Sequence, residues 1–295
     1  MWFFRKPKIE IIQKKLPEEK EWRSLHGLAD GARPEMIAAF LKAVAKTQNA
    51  FVLKRVERAL ESGDTKQAID TIPWDTFAAE LNVVTAIFHD IYNKSGTNAV
   101  KYLPKKIETT VSFNTTNPKS LEFIGKYTGD MITQITEETK LGVRAVIDRS
   151  FRQGAPPRES AKYIKNLVGL TEKQSIAVDN LRTSLLEQEV HPKIIDKNVN
   201  QYADRLLNYR ADMISRTETL RAANEGTMGL WDQLVEQGVI DSQTAQKKFI
   251  VTPDDKLCDF CADYDGVTVG LDEEFDDGDP PLHPNCRCCV GLVTE

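Results

Sequence analysis

Cysteine is missing from the first 257 of the 295 residues, and the whole chain holds only four histidines, His26, His89, His191 and His283. None of the four begins an H-x-E or H-E-x-x-H pattern, so zinc deaminase and zincin metalloprotease signatures are absent. There is no G-x-x-x-x-G-K-[ST] loop and no G-x-S-x-G elbow, which removes the P-loop and nucleophile-elbow readings. His26, His89 and His191 each stand alone on their segments and are expected to be surface or packing residues rather than ligands. Long apolar runs are missing too. The longest, Met36 to Leu41, has six residues, against the ~18–20 that a transmembrane helix needs, so no membrane span is expected. Met1-Trp2-Phe3-Phe4-Arg5-Lys6-Pro7 places apolar residues before basic ones, the reverse of a secretory signal, and intracellular synthesis is the expectation.

What the chain does contain is unevenly distributed. With 41% hydrophobic and 28% charged residues it has the composition of a globular protein, and its length allows two domains, or three if one is small. The net charge of −5 conceals a split: positions 241–295 carry 13 acidic and four basic residues, and the rest carries 31 acidic and 35 basic. All five cysteines, Cys258, Cys261, Cys286, Cys288 and Cys289, fall in the last 38 residues. An odd number of cysteines without a signal peptide argues against a disulfide framework.

Residues 1–33 show no sustained periodicity and read as an N-terminal arm. From Pro34, apolar residues recur at helical spacing to Leu60, predicting one long helix that stops at Ser62-Gly63-Asp64. Asp64 is placed to cap a short helix to Ile72, and Pro73 opens another that ends near Ser95-Gly96. Thr109 to Phe113 is read as either a short strand or an extended connector. A long helix begins at Pro118 and halts at Gln153-Gly154-Ala155-Pro156-Pro157. Helices follow over 158–167, 171–189 and 193–237, with Thr171-Glu172-Lys173-Gln174 as a capping box. The expected fold class is therefore mainly α: a long-helix bundle with a small C-terminal zinc-stapled α+β unit. Four segments result: the arm (1–33), a motif-free helical region expected to bind a partner (34–150), a second helical part (151–240) and the acidic Cys/His unit (241–295). That last unit looks too poor in apolar residues to fold by burial alone.

Within it, Cys258-x2-Cys261 is followed by His283-Pro284-Asn285-Cys286-Arg287-Cys288-Cys289. A C-x2-C knuckle lets two thiolates reach one tetrahedral ion, and the second segment completes a set at structural zinc spacing. Cys258, Cys261 and His283 are the first three expected ligands, Cys286 or Cys288 is the fourth, and Cys289 is left over. The acidic run Leu271 to Asp279 lacks the Gly and Glu positions of an EF-hand loop and reads as a solvated connection that repels nucleic-acid phosphates.

Ile214 to Gly226 is the other singular stretch. On a helix, Glu218 and Arg221 stand at i, i+3 and Arg221 and Glu225 at i, i+4, which by itself describes a solvated polar ladder. Its order along the chain is more specific. Arg216-Thr217-Glu218, Arg221 and Asn224 precede Trp231, the Phe249-to-Asp254 strand, Cys258-x2-Cys261, Asp265-Gly266 and the terminal His-Pro-Asn-Cys-Arg-Cys. This combination, over about residues 150–290, resembles the phage Mu F-like head morphogenesis (minor head protein) family. Phe249, where the family often has tryptophan, and the additional Cys289 depart from the pattern.

The resemblance implies a non-enzymatic virion component, made in the host cytoplasm and residing in the head. Its implied partners are the portal, major capsid or scaffolding protein, and its implied roles are head morphogenesis and genome delivery or DNA ejection. Direct nucleic-acid binding is expected to be weak or absent, since basic residues before position 241 are interspersed with acids. Trp2, Phe3 and Phe4 form a candidate partner anchor. Two other readings stand beside this one: an HNH-like zinc-containing nuclease using His283 as base, or another DNA-processing enzyme, and an internal, ejected DNA-associated protein.

Overall fold

The computed structural model describes residues 17–294 except 109; the Trp2-Phe3-Phe4 anchor lies outside the described residues. The first helix, α1 (Pro17–Ala50), begins well before Pro34 and carries that proline in its interior. An interior proline removes one backbone hydrogen bond and costs about 3 kcal/mol. Burial offsets this: Leu25, Ala29, Met36, Ala39, Phe40, Ala43 and Val44 form one apolar stripe across the proline. Half of the expected arm is thus packed helix. Gly27, Gly31 and Pro34 look like punctuation in the sequence but lie outside that stripe, with Gly31 and Pro34 exposed.

The long helix expected to reach Leu60 breaks at Phe51-Val52, and α2 (Leu53–Glu61) turns to pack on α3 (Thr65–Asp70) and α8 (Pro157–Lys165). Asp64 caps α3 as expected, its carboxylate accepting from Gln67 N at 3.0 Å. The helix expected from Pro73 is two, α4 (Trp74–Leu81) and α5 (Val83–Ala99), divided at Asn82. The second runs through Ser95-Gly96 because both residues face packed partners. Ser95 donates to the Ala223 carbonyl at 2.6 Å, and the Phe113 ring fills the space where a Cβ on Gly96 would lie.

After a 3-10 turn (Val100–Tyr102) and the short α6 (Lys105–Glu108), residues 111–114 form a connector without strand pairing. Helix α7 (Pro118–Arg152) ends at Gln153, followed by Gly154 at φ 63°. The Thr171/Gln174 capping box opens α9 (Glu172–Glu187) with both of its hydrogen bonds in place. Helix α10 (Pro192–Glu236) has 45 residues, about 68 Å at 1.5 Å per residue, and packs against α1, α5 and α9.

Small residues let α10 approach α5 closely. A Cβ added to Gly226 would lie 2.1 Å from the Tyr92 carbonyl oxygen, and one on Gly229 would meet the Tyr92 hydroxyl at 2.0 Å. Near the middle of α10, Arg210 is fully buried. It donates to Thr139 Oγ1 and the Gly169 carbonyl, both at 2.9 Å, and pairs with Glu138 at 2.8 Å. Its guanidinium ties α7 to α10.

The C-terminal part is a three-stranded antiparallel sheet in the order β2 (Thr268–Gly270), β1 (Gln246–Ile250), β3 (Cys289–Val293), with a single helical turn, α11 (Asp259–Ala262). Phe249 packs against Tyr264 and Phe275 at ring separations of 5.1 and 5.2 Å. Phe249, Phe275, Cys261, Cys286 and Val290 belong to the same contiguous core as the helices. The terminal unit thus shares the core of the helical body as well as carrying a cysteine cluster. No described helix is long and apolar enough to cross a membrane.

Candidate metal centre

The C-x2-C segment enters α11 with Cys258 as its N-cap, so that the Cys261 backbone N–H donates to Cys258 Sγ at 3.4 Å. This is a local consequence of the spacing: two cysteines one turn apart point the same way, and the amide between them faces the first sulfur. His283 approaches from the other segment. Its Nε2 lies 3.2 Å from both Cys258 Sγ and Cys261 Sγ, and its Nδ1 is 2.9 Å from the Pro284 carbonyl. The carbonyl can only accept, so Nδ1 carries a proton and Nε2 is the ring nitrogen left facing the two sulfurs, the orientation a metal-binding imidazole needs.

Two triads arise, Cys258/Cys261/His283 and Cys261/Cys286/Cys288, sharing Cys261. Cys261 Sγ and Cys286 Sγ are 3.8 Å apart. A tetrahedral ion with ~2.3 Å bonds to sulfur separates two sulfur ligands by about 3.8 Å and a sulfur and a nitrogen by about 3.6 Å. The side chains fit such an ion with small adjustments. All five predicted ligand positions are brought together. Cys289 belongs to neither triad; it is buried in β3, where desolvation raises its thiol pKa well above the usual value.

The electrostatics of the cluster favour a cation. Hydrogen bonding from Cys288 pulls the Cys286 thiol down to about 5. Burial, and then the Cys286 charge, push Cys261 up to about 12. For Cys258 burial opposes ionisation, but the Cys261 amide and His283 outweigh it and lower the thiol. Cys288 is raised by its hydrogen bond to Cys286 and by burial. Ionising one thiol thus holds back its neighbours, and a divalent ion would relieve that mutual repulsion.

The helix motif is not a solvated ladder. Asn224, fully buried, donates from Nδ2 to the Pro280 carbonyl at 3.1 Å and the Cys288 carbonyl at 3.4 Å, and its Oδ1 accepts from Val290 N at 3.3 Å. Arg221 donates to the Pro281 carbonyl at 2.8 Å and lies over the Tyr127 ring. Arg216 donates to Asn285 Oδ1 at 3.3 Å, and Thr217 Oγ1 accepts from Asn285 N at 3.2 Å. Glu218 accepts from the Tyr127 hydroxyl at 2.6 Å, and burial raises its carboxyl pKa. One face of α10 therefore holds the backbone of 280–290 in place. Repeated at i, i+3 and i+4, these polar residues meet carbonyls and amides of a distant loop, which spacing alone does not reveal.

Sequence reasoning missed two residues at this site, Trp22 and His26. Trp22 Nε1 donates to the Arg287 carbonyl at 2.8 Å, and His26 Nε2 lies 3.0 Å from the same oxygen. His26 is a packing residue, as expected of it, and burial lowers its pKa. The Trp22, Leu25, Ala29 spacing is the signal that could have found this contact. His191 caps α10, accepting from Lys193 N, and His89 bonds to Asn93; among the described residues neither belongs to a metal-holding group. In the acidic run, Asp272, Glu273, Glu274, Asp276 and Asp277 are exposed, and Asp279 pairs with the buried Lys247 at 2.7 Å.

The family described as Phage Mu protein F like protein matches residues 142–291, half of the chain. No curated protein and no solved structure gives a match. The matched span contains α10, the sheet and every cysteine of the cluster. The chain belongs to the phage Mu protein F-like family, a structural family of phage head morphogenesis.

Proposed function

We propose that the chain is a minor head protein of the virion, a non-enzymatic adaptor bound to the portal, major capsid or scaffolding protein, acting in head morphogenesis and genome delivery. In this reading Zn2+ is its structural ion, held by Cys258, Cys261, His283 and one of Cys286 and Cys288. The observation that carries it is the use of the motif side chains. Arg216, Arg221 and Asn224 hydrogen-bond to the 280–288 segment, and His283 turns its free nitrogen toward two thiols. A nuclease base needs that nitrogen open to substrate or water. When bound, the ion would neutralise the thiolates and cross-link the two cysteine segments. The helical region 34–150 is proposed to supply partner contacts, with the Trp2-Phe3-Phe4 tip as an anchor.

Cross-linking of assembled heads, followed by identification of the attached structural protein, tests the placement. Recovery of portal, capsid or scaffolding peptides is expected; a chain recovered only outside heads would overturn it. Metal analysis of reduced protein purified without chelators is expected to give about one zinc per chain, and clearly substoichiometric metal would overturn the stapled unit.

A further inference from the structure

The Cys286–Cys288 turn is bound on two sides. Asn224 of α10 holds the Cys288 carbonyl, and the first third of α1 holds the Arg287 carbonyl. Two donor positions converge on that one oxygen, Trp22 Nε1 at 2.8 Å and His26 Nε2 at 3.0 Å, and the two rings stack at 4.0 Å. Only as a donor can His26 Nε2 share a carbonyl oxygen with an indole N–H. Arg287 itself is fixed by a two-pronged pairing of its guanidinium with Asp254. The residue between two thiols of the cluster is thereby one point where the N-terminal helix meets the terminal unit, beside its contact with β3.

The rest of α1 is anchored elsewhere. Met36, Ala39, Phe40, Ala43 and Val44 are buried, and α1 packs on α4, α5 and α10. Around Trp22 the apolar contribution is smaller, with Leu25 and Ala29 the buried residues. A turn ordered by thiolate coordination presents its carbonyl in one place, whereas a loose turn presents it in many. Two donors aimed at one oxygen depend on that order.

We propose that the Cys286–Cys288 turn is a metal-set clasp for α1: coordination by the cysteine cluster and docking of residues 19–30 are one linked equilibrium. This inference rests on the metal reading above. Because linkage is reciprocal, docking of Trp22 and His26 also tightens the hold on the metal.

The test uses the full chain and separates the two readings. Metal content is first measured; amide exchange is then followed with and without a chelator. Metal removal is expected to accelerate exchange over residues 19–30 by about tenfold or more while residues 36–47 keep their protection. Unchanged protection over 19–30 after the metal has left would refute the clasp. W22F keeps an aromatic ring, though a smaller one, and loses the N–H donor; it is expected to speed metal transfer to a chromogenic chelator about threefold to tenfold, the range of one hydrogen bond. H26L is the second variant, expected to act in the same direction. Unaltered transfer rates in both refute the coupling. A chain that takes up no metal refutes the zinc reading and the metal-set clasp together, whereas metal uptake with unchanged protection over 19–30 on its removal refutes the clasp alone.

Discussion

Replacing Asn224 with alanine removes one side chain and leaves three backbone groups without partners: the carbonyls of Pro280 and Cys288 and the amide of Val290. All three residues are buried, so water does not readily substitute. Each buried group left unpaired costs about 1–3 kcal/mol. Two of the three bonds are long, at 3.3 and 3.4 Å, so the low end applies to them, and the sum is about 3–5 kcal/mol. Against a total of about 5–15 kcal/mol for a typical domain, that is enough to detach the terminal segment before the helices melt. N224D is the sharper probe. It keeps the shape but sets a carboxylate against two carbonyl oxygens, and is expected at neutral pH to cost at least as much as alanine. Urea unfolding followed by circular dichroism, with chelator-driven release of the proposed metal on the same samples, measures both effects. The expected result is an early transition and faster release in both variants. A loss below about 1 kcal/mol for either variant would refute the claim that Asn224 holds the loop.

Further outcomes follow from α10. G226A places a Cβ 2.1 Å from the Tyr92 carbonyl oxygen, so the helices must separate; a loss of about 3 kcal/mol or more is expected in denaturant unfolding, at the upper end for overpacking. Glu225 is held at about 7 against an ordinary 4.5, by burial first, with Arg221 and Lys247 opposing and Asp279 and Asp232 reinforcing the shift. A raised carboxyl pKa means the folded state binds the proton more tightly. Its stabilising contribution is then complete below about 4.5 and lost as pH rises through about 7. E225Q is expected to flatten the stability profile across that window and to be more stable than the parent at about pH 8; parallel profiles for the two proteins would contradict this.

Much of the helical body was legible in the sequence because its signals are local. The Thr171/Gln174 box, the Asp64 cap and the Gly154 stop depend on a few neighbouring residues and appear where expected. Boundaries failed where a distant partner decided. Pro34 stays within α1 because the helix buries a stripe on both sides of it, and α5 passes through Gly96 because Phe113 occupies the space a side chain would need. Arg210 gave no signal, since only the converging Thr139, Gly169 and Glu138 make full burial of a guanidinium tolerable.

The same division runs through the candidate site. Sequence alone marked the residues that offer ligand atoms to a common point, because C-x2-C and H-x2-C-x-C fix short-range geometry through the backbone. It also marked the Arg216-to-Asn224 helix, through the order of motifs along the chain. Only the tertiary structure decided what that helix does, because its hydrogen-bond partners are backbone groups some 60 residues away, as Arg221 to Pro281 is, and backbone groups leave no mark in side-chain pattern. The contact of Trp22 and His26 with Arg287, across more than 260 residues, was likewise settled by packing: α1 had to cross Pro34 unbroken to bring its first turns to the cysteine turn.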